Sequence, residues 1–125
     1  MNIRKYYRLN TSEIRYITST RRKKFVSGKM LNMNIIEQYS WQNNNKFAIS
    51  ISSKFHKKAV YRNIIRRIYF DIIYKKWYLK IPVKNKFWKI YCSLKKWVEY
   101  DVKWENYEKK VRNDLEKDLF KLFWK

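Results

Sequence analysis

The chain has 125 residues, with 31 Lys and Arg against 10 Asp and Glu, and a formal net charge of +21 at pH 7. That length is one small domain. With 46% hydrophobic and 19% aromatic residues it carries enough apolar surface for a core and lacks the composition of a disordered chain, while Lys or Arg breaks each apolar run before the roughly 18 residues a bilayer span needs.

In chain order, residues 1–17 read as a basic N-terminal arm and residues 18–125 as a single domain. Thr18-Ser19-Thr20 is a capping sequence for a short helix through Arg21-Arg22-Lys23-Lys24-Phe25-Val26, which Gly28, the one glycine, would end. From Met33 to Trp41 apolar residues fall mainly on alternate positions, the period of a strand. Asn43-Asn44-Asn45 is a turn signal, and Phe47, Ile49 and Ile51 then alternate with small residues, so these two strands are expected to pair as a hairpin. After Lys57 the period changes: Val60, Ile64, Ile65, Ile68, Ile72 and Ile73 recur every three or four residues, predicting an amphipathic helix that stops before Pro82. Its other side carries Lys58, Arg62 and Arg66 at steps of four, with Asn63 and Arg67 one position round. Phe87 to Leu94 predicts a strand with Trp88, Ile90, Cys92 and Leu94 on one face. Tyr107, Val111, Leu115, Leu119 and Leu122 mark a closing helix from Trp104.

The charge is uneven along this plan. Residues 99–125 hold seven acids and seven bases, whereas residues 1–98 hold 24 bases and only Glu13, Glu37 and Asp71 as acids. A neutral tail suits a solvated helix; the basic part calls for a polyanion, either nucleic acid or an anionic membrane surface. Like charges stacked at i and i+4 on a helix repel by a few tenths of a kcal/mol per pair, and a bound polyanion would offset this. Cys92 and His56 are each single, which rules out an internal disulfide and leaves His56 a polar loop residue between lysines. There is no close carboxylate pair and no nucleophile, so no catalytic side chain and no protein-held metal are expected. The first eight residues lack the apolar block of a secretory signal, and the expected compartment is the cytoplasm.

Two linked segments carry a resemblance. Lys46-Phe47-Ala48-Ile49-Ser50-Ile51-Ser52-Ser53-Lys54, followed by Lys57-Lys58-Ala59-Val60-Tyr61-Arg62-Asn63-Ile64-Ile65-Arg66-Arg67, resembles the strand, basic loop and Arg-Asn helix of the bacterial ribonuclease P protein component. Phe25-Val26-Ser27-Gly28-Lys29 and a strand ending at Tyr39 resemble its upstream part, and the likeness covers roughly residues 20–124. Ala48 stands in place of the family's strand glycine, Ser53 in place of the first of two lysines, and Phe70 in place of a further helix arginine; Arg21 falls where a second aromatic is usual.

The resemblance implies an α+β fold, a small mixed four-stranded sheet with helices in the order α-β-β-β-α-β-α and a left-handed crossover. It implies a protein subunit that docks on the catalytic ribonuclease P RNA through Lys54, Lys57, Lys58, Arg62, Asn63, Arg66 and Arg67. Phe25, Tyr39 and Phe70 would line a cleft for the single-stranded 5′ leader of precursor tRNA. Cleavage would be performed by the RNA with Mg2+ held mainly by that RNA, with no membrane and no obligate protein partner. Rival readings are a generic ribosome- or RNA-associated basic protein without a role in tRNA cleavage, and a cationic membrane-active protein suggested by Lys75-Lys76-Trp77-Tyr78 and Lys95-Lys96-Trp97.

Overall fold

The computed structural model describes residues 8–39, 42–52, 59–95 and 106–123. Along them run α1 (Thr11–Ser19), β1 (Lys24–Ser27), β2 (Leu31–Glu37), β3 (Lys46–Ser50), α2 (Ala59–Lys75), β4 (Trp88–Leu94) and α3 (Tyr107–Phe123). This is the expected α+β order. The four strands form one mixed sheet in the order β1-β2-β4-β3, with β3 and β4 parallel and the other pairs antiparallel.

Alternation along the strands assigns the two faces. Val26, Met33, Ile35, Phe47, Ile90 and Cys92 point to one side, where they join Ile65, Ile68, Tyr69, Ile72 and Ile73 of α2 and Val111, Leu115 and Leu119 of α3 in the main core. Ile36 and Ala48 point to the other side and pack with Leu9 and Ile17, so α1 covers part of the opposite face. Ala48, where the resembling family has glycine, places its methyl group in this small cluster. Phe25 pairs with Asn34, one register position from Val26 and Met33, and so lies on the α1 face.

Several expectations need correction. The segment 21–26 is not a helix: residues 24–27 form β1, and the helix lies earlier, at Thr11–Ser19. Its start is fixed by a capping box in which the Glu13 amide donates to Asn10 Oδ1 at 2.8 Å and the Asn10 amide donates to Glu13 Oε1 at 3.1 Å. Thr18 and Ser19 close this helix, their hydroxyls donating back to the carbonyls of Ile14 and Arg15. Residues 8–17, read as part of an arm, belong to the folded body, because Ile17 is fully buried and the Leu9 amide donates to the Phe47 carbonyl along the free edge of β3.

The expected hairpin of β2 with β3 does not form. β4 lies between them, pairing antiparallel with β2 over seven residues. The asparagines before β3 are not a surface turn either. Asn44 and Asn45 are fully buried, and Asn45 Nδ2 donates to the carbonyls of Tyr78 at 2.7 Å and Ile81 at 2.8 Å while its Oδ1 accepts from the Trp88 amide at 2.8 Å. One side chain thus ties the chain leaving α2 to the first residue of β4. Val60, expected on the apolar face of α2, is exposed.

Candidate nucleic-acid interface

The buried stripe of α2 turns one side of the helix inward, and Arg62, Asn63, Arg66 and Arg67 fall beside or opposite it. Asn63 and Arg67 are exposed and Arg62 and Arg66 half-buried. Arg66 Nη1 donates to Asn63 Oδ1 at 3.0 Å. Arg67 Nη2 lies 3.4 Å from Glu108 Oε1 of α3, with both side chains about 60% exposed. A surface pair of this kind contributes about 0–1 kcal/mol, so it does not sequester the guanidinium. Arg62, Asn63, Arg66 and Arg67 thus lie along one flank of α2, with Asn63 and Arg67 the exposed members; Lys54, Lys57 and Lys58 lie outside the described residues.

At the end of the sheet where β2 leaves and β3 and β4 enter, there is a groove of about 710 Å3. Tyr39, just past β2, lines it together with Tyr16 of α1 and Trp88, and so do six bases (Arg22, Lys24, Lys46, Lys84, Lys86 and Lys89) against Glu13 and Glu37. Tyr39 is 70% exposed. Lys24 Nζ lies 5.2 Å from the Trp88 ring centroid, within cation–π range. Lys84 and Lys86 enter on a tight turn closed by paired amide–carbonyl bonds between Val83 and Lys86, with φ of 53° at Lys84 and 64° at Asn85, the left-handed pair of a two-residue hairpin turn.

Glu13 organises the groove floor. Its Oε2 sits 3.0 Å from Lys89 Nζ and 3.4 Å from Lys46 Nζ. Burial alone would push its carboxyl up, but the Asn10 amide and the Lys89 and Lys46 ammonium groups outweigh it and hold the carboxyl below its ordinary value of 4.5. Even with these pairs and the Lys86–Glu37 pair formed, bases outnumber acids along the walls. Positive charge beside exposed aromatic rings is a surface that can neutralise phosphate and stack on unpaired bases.

Phe25 is 60% exposed on the sheet face that α1 only partly covers. Phe70 is not brought to that face: it lies in α2 across the sheet, packed against the main core with its ring edge-on to Tyr69 at 5.1 Å. Its place beside Tyr69 on the helix explains this. Scattered bases carry no period, so the groove lysines of β3, β4 and the 83–86 turn are not legible as a set in the sequence; only the crowding of bases into residues 1–98 points to them.

Cys92 offers no chemistry. It is fully buried, with Tyr69 Oη 3.2 Å from its Sγ and also 3.2 Å from the Ala48 carbonyl. Burial pushes its thiol up to about 12, so it stays protonated and inert. Among the described residues no group of three His, Cys, Asp or Glu side chains is placed to hold a metal, and no helix is long and apolar enough to cross a membrane.

Together, the two-sided sheet, the helix joining parallel β3 and β4, and the arginine flank define a small basic α+β domain of a recognisable class. No family model matches the sequence, and neither does any curated protein. Solved structures do. A Staphylococcus aureus RNase P protein superposes with a TM-score of 0.66 at 18% identity, covering 94% of this chain and 97% of that one. A second structure of the S. aureus RNase P protein gives 0.62 at 20% identity over 100% and 97%, and the Thermotoga maritima RNase P protein gives 0.64 at 18% identity over 93% and 94%. The chain has the fold of bacterial RNase P proteins along nearly its whole length.

Proposed function

We propose that this chain is the protein subunit of a ribonuclease P, which binds the catalytic RNA and the 5′ leader of precursor tRNA and promotes removal of that leader. Arg62, Asn63, Arg66 and Arg67 grip the RNA backbone from the α2 flank, extended by Lys54, Lys57 and Lys58. Guanidinium groups suit this because their planar donors match phosphate oxygens in pairs. The unpaired leader lies over the open sheet face at Phe25 and into the groove beside Tyr39. The cutting chemistry belongs to the RNA, with magnesium held mainly there; the protein screens phosphate repulsion and orients the substrate, and it works in the cytoplasm without an obligate protein partner.

The observation that carries this reading is the coincidence of two independent features: the fold shared with RNase P proteins over more than nine-tenths of the chain, and an Arg-Asn flank on its crossover helix that is exposed at Asn63 and Arg67. The test adds the protein to its partner RNA at low magnesium and follows 5′ cleavage of precursor tRNA. Cleavage should rise on addition of the wild-type chain and not on addition of Arg62→Ala/Arg66→Ala. In the same assay Phe25→Ala/Tyr39→Ala should weaken binding of precursor tRNA while leaving mature tRNA unaffected. A chain that binds the RNA yet leaves cleavage unchanged would instead be a general RNA-associated protein.

A further inference from the structure

The turn that follows α2 holds two features that weaken the fold rather than support it. Trp77 has φ of 60°, left-handed backbone that glycine or asparagine adopts more readily. Its indole is also 71% exposed, on a surface where a polar residue would be better solvated. The turn itself is needed. Tyr78 must reach the core, where its ring stacks on Phe123 at 4.2 Å, its amide donates to the Ile73 carbonyl, and its carbonyl is held by Asn45. The fold therefore requires a left-handed residue at position 77 and gives no reason for it to be tryptophan.

What surrounds Trp77 supplies one. Tyr74, whose carbonyl accepts from the Trp77 amide, is 50% exposed, and the segment 74–80 contains Lys75, Lys76 and Lys80 with no acid of its own. Lys75 pairs with Asp71 at 3.3 Å, and Lys76 shares a shallow pocket with Glu116 and Lys117 of α3, so bases still outnumber acids there. Its aliphatic neighbours Ile72, Ile73 and Leu79 are all buried, so the turn presents rings and ammonium groups but no aliphatic wedge for a bilayer. The backbone that carries the ring is pinned by Asn45 and Tyr78.

We propose that Trp77, with Tyr74, Lys76 and Lys80, is a second platform for unpaired RNA, separate from the groove at Tyr39. Bases stack on the rings while the lysines neutralise the phosphates between them. The platform needs only a single strand and does not depend on the ribonuclease P reading.

The test is fluorescence anisotropy of a labelled single-stranded RNA of about 12 nucleotides titrated with the full chain. Trp77→Gly should weaken binding about 5- to 150-fold, the worth of one stacked base, and Trp77→Phe should retain most of the affinity. The urea midpoint of Trp77→Gly should equal or exceed that of the wild type, since glycine relieves the backbone. The same loss should appear in a Phe25→Ala/Tyr39→Ala background, where the other surface is removed. Unchanged affinity of Trp77→Gly in both backgrounds would overturn the proposal. So would a lowered urea midpoint, which would make Trp77 a packing residue, or lost binding to anionic phospholipid vesicles with RNA binding intact.

Discussion

Asp118 sits in α3, in the stretch that reads from sequence as charge-balanced and solvated, yet it is buried. Its Oδ1 accepts from the Lys29 amide at 2.7 Å, and its Oδ2 accepts from the amides of Met30 and Leu31 at 2.9 and 3.0 Å. This carboxylate therefore closes the β1–β2 turn from outside it. Gly28 makes room: a Cβ there would come 2.4 Å from Asp118 Cγ, a distance no real contact allows. Gly28 ends no helix; it admits a carboxylate. Replacing Asp118 with Asn should cost about 2–4 kcal/mol, the range for losing charge-assisted bonds at buried amides. Gly28→Ala should cost about 1–3 kcal/mol by forcing the carboxylate out. Because both variants break one contact, the double variant should be less destabilised than the sum. Urea unfolding at constant slope measures this, and additive effects would show that the two residues act separately. Sequence could mark Gly28 as unusual but not say why, since its reason lies 90 residues away.

At the scale of elements, the amphipathic pieces were legible and their joints were not. Tyr107, Val111, Leu115, Leu119 and Leu122 are all buried as their spacing requires, and so are Trp88, Ile90, Cys92 and Leu94. The first helix lies upstream of the Thr18-Ser19-Thr20 capping sequence because a second capping pattern precedes it. Thr18-Ser19-Thr20 stood before a basic run, whereas Asn10 with Glu13 three positions on forms the capping box that wins, and the run beyond Lys23 pairs with β2 instead. Glu13 also binds α1 to the sheet through Lys46 and Lys89. Its carboxyl titrates lower in the folded chain than its ordinary 4.5, so the ionised form is the one that folding favours. The stabilisation it gives is complete above 4.5 and fades as acid carries the pH down through the lowered folded value. Asp71 behaves the same way: burial raises its carboxyl, but Arg112 and Lys75 bring it below 3.8. Glu13→Gln should therefore be less stable than wild type at neutral pH, with the gap narrowing as the pH is taken down below about 4.5. Urea midpoints across that range decide it; parallel curves would mean that the charge of Glu13 contributes nothing to docking.

Across the whole molecule, the sheet order was the part that local pattern could not supply. Period-two alternation identifies strands and their inward faces, but β3 can equally well pair with β2 through a turn or with β4 across a helix. What selects the second is non-local: Asn45 binding Trp88, and α2 burying its stripe on the face that β3 and β4 share. The consequence is a domain with its arginine flank on one layer, following the C-terminal end of β3, and its aromatic groove at the other end of the sheet, where β3 and β4 begin. A polyanion that touches both must be large and folded, and its affinity should fall steeply with salt. Each phosphate neutralised contributes a slope of about −0.7 to −0.9 in log affinity against log salt. If Arg62, Arg66 and Arg67 each hold one phosphate of the ribonuclease P RNA, replacing all three with alanine should make that slope shallower by about 2 to 3. Phe25→Ala/Tyr39→Ala should leave the slope alone, because stacking releases no counterions. Filter binding of the RNA at a series of potassium chloride concentrations measures both. An unchanged slope in the triple variant would remove the α2 flank from the interface, whatever happened to affinity at any single salt concentration.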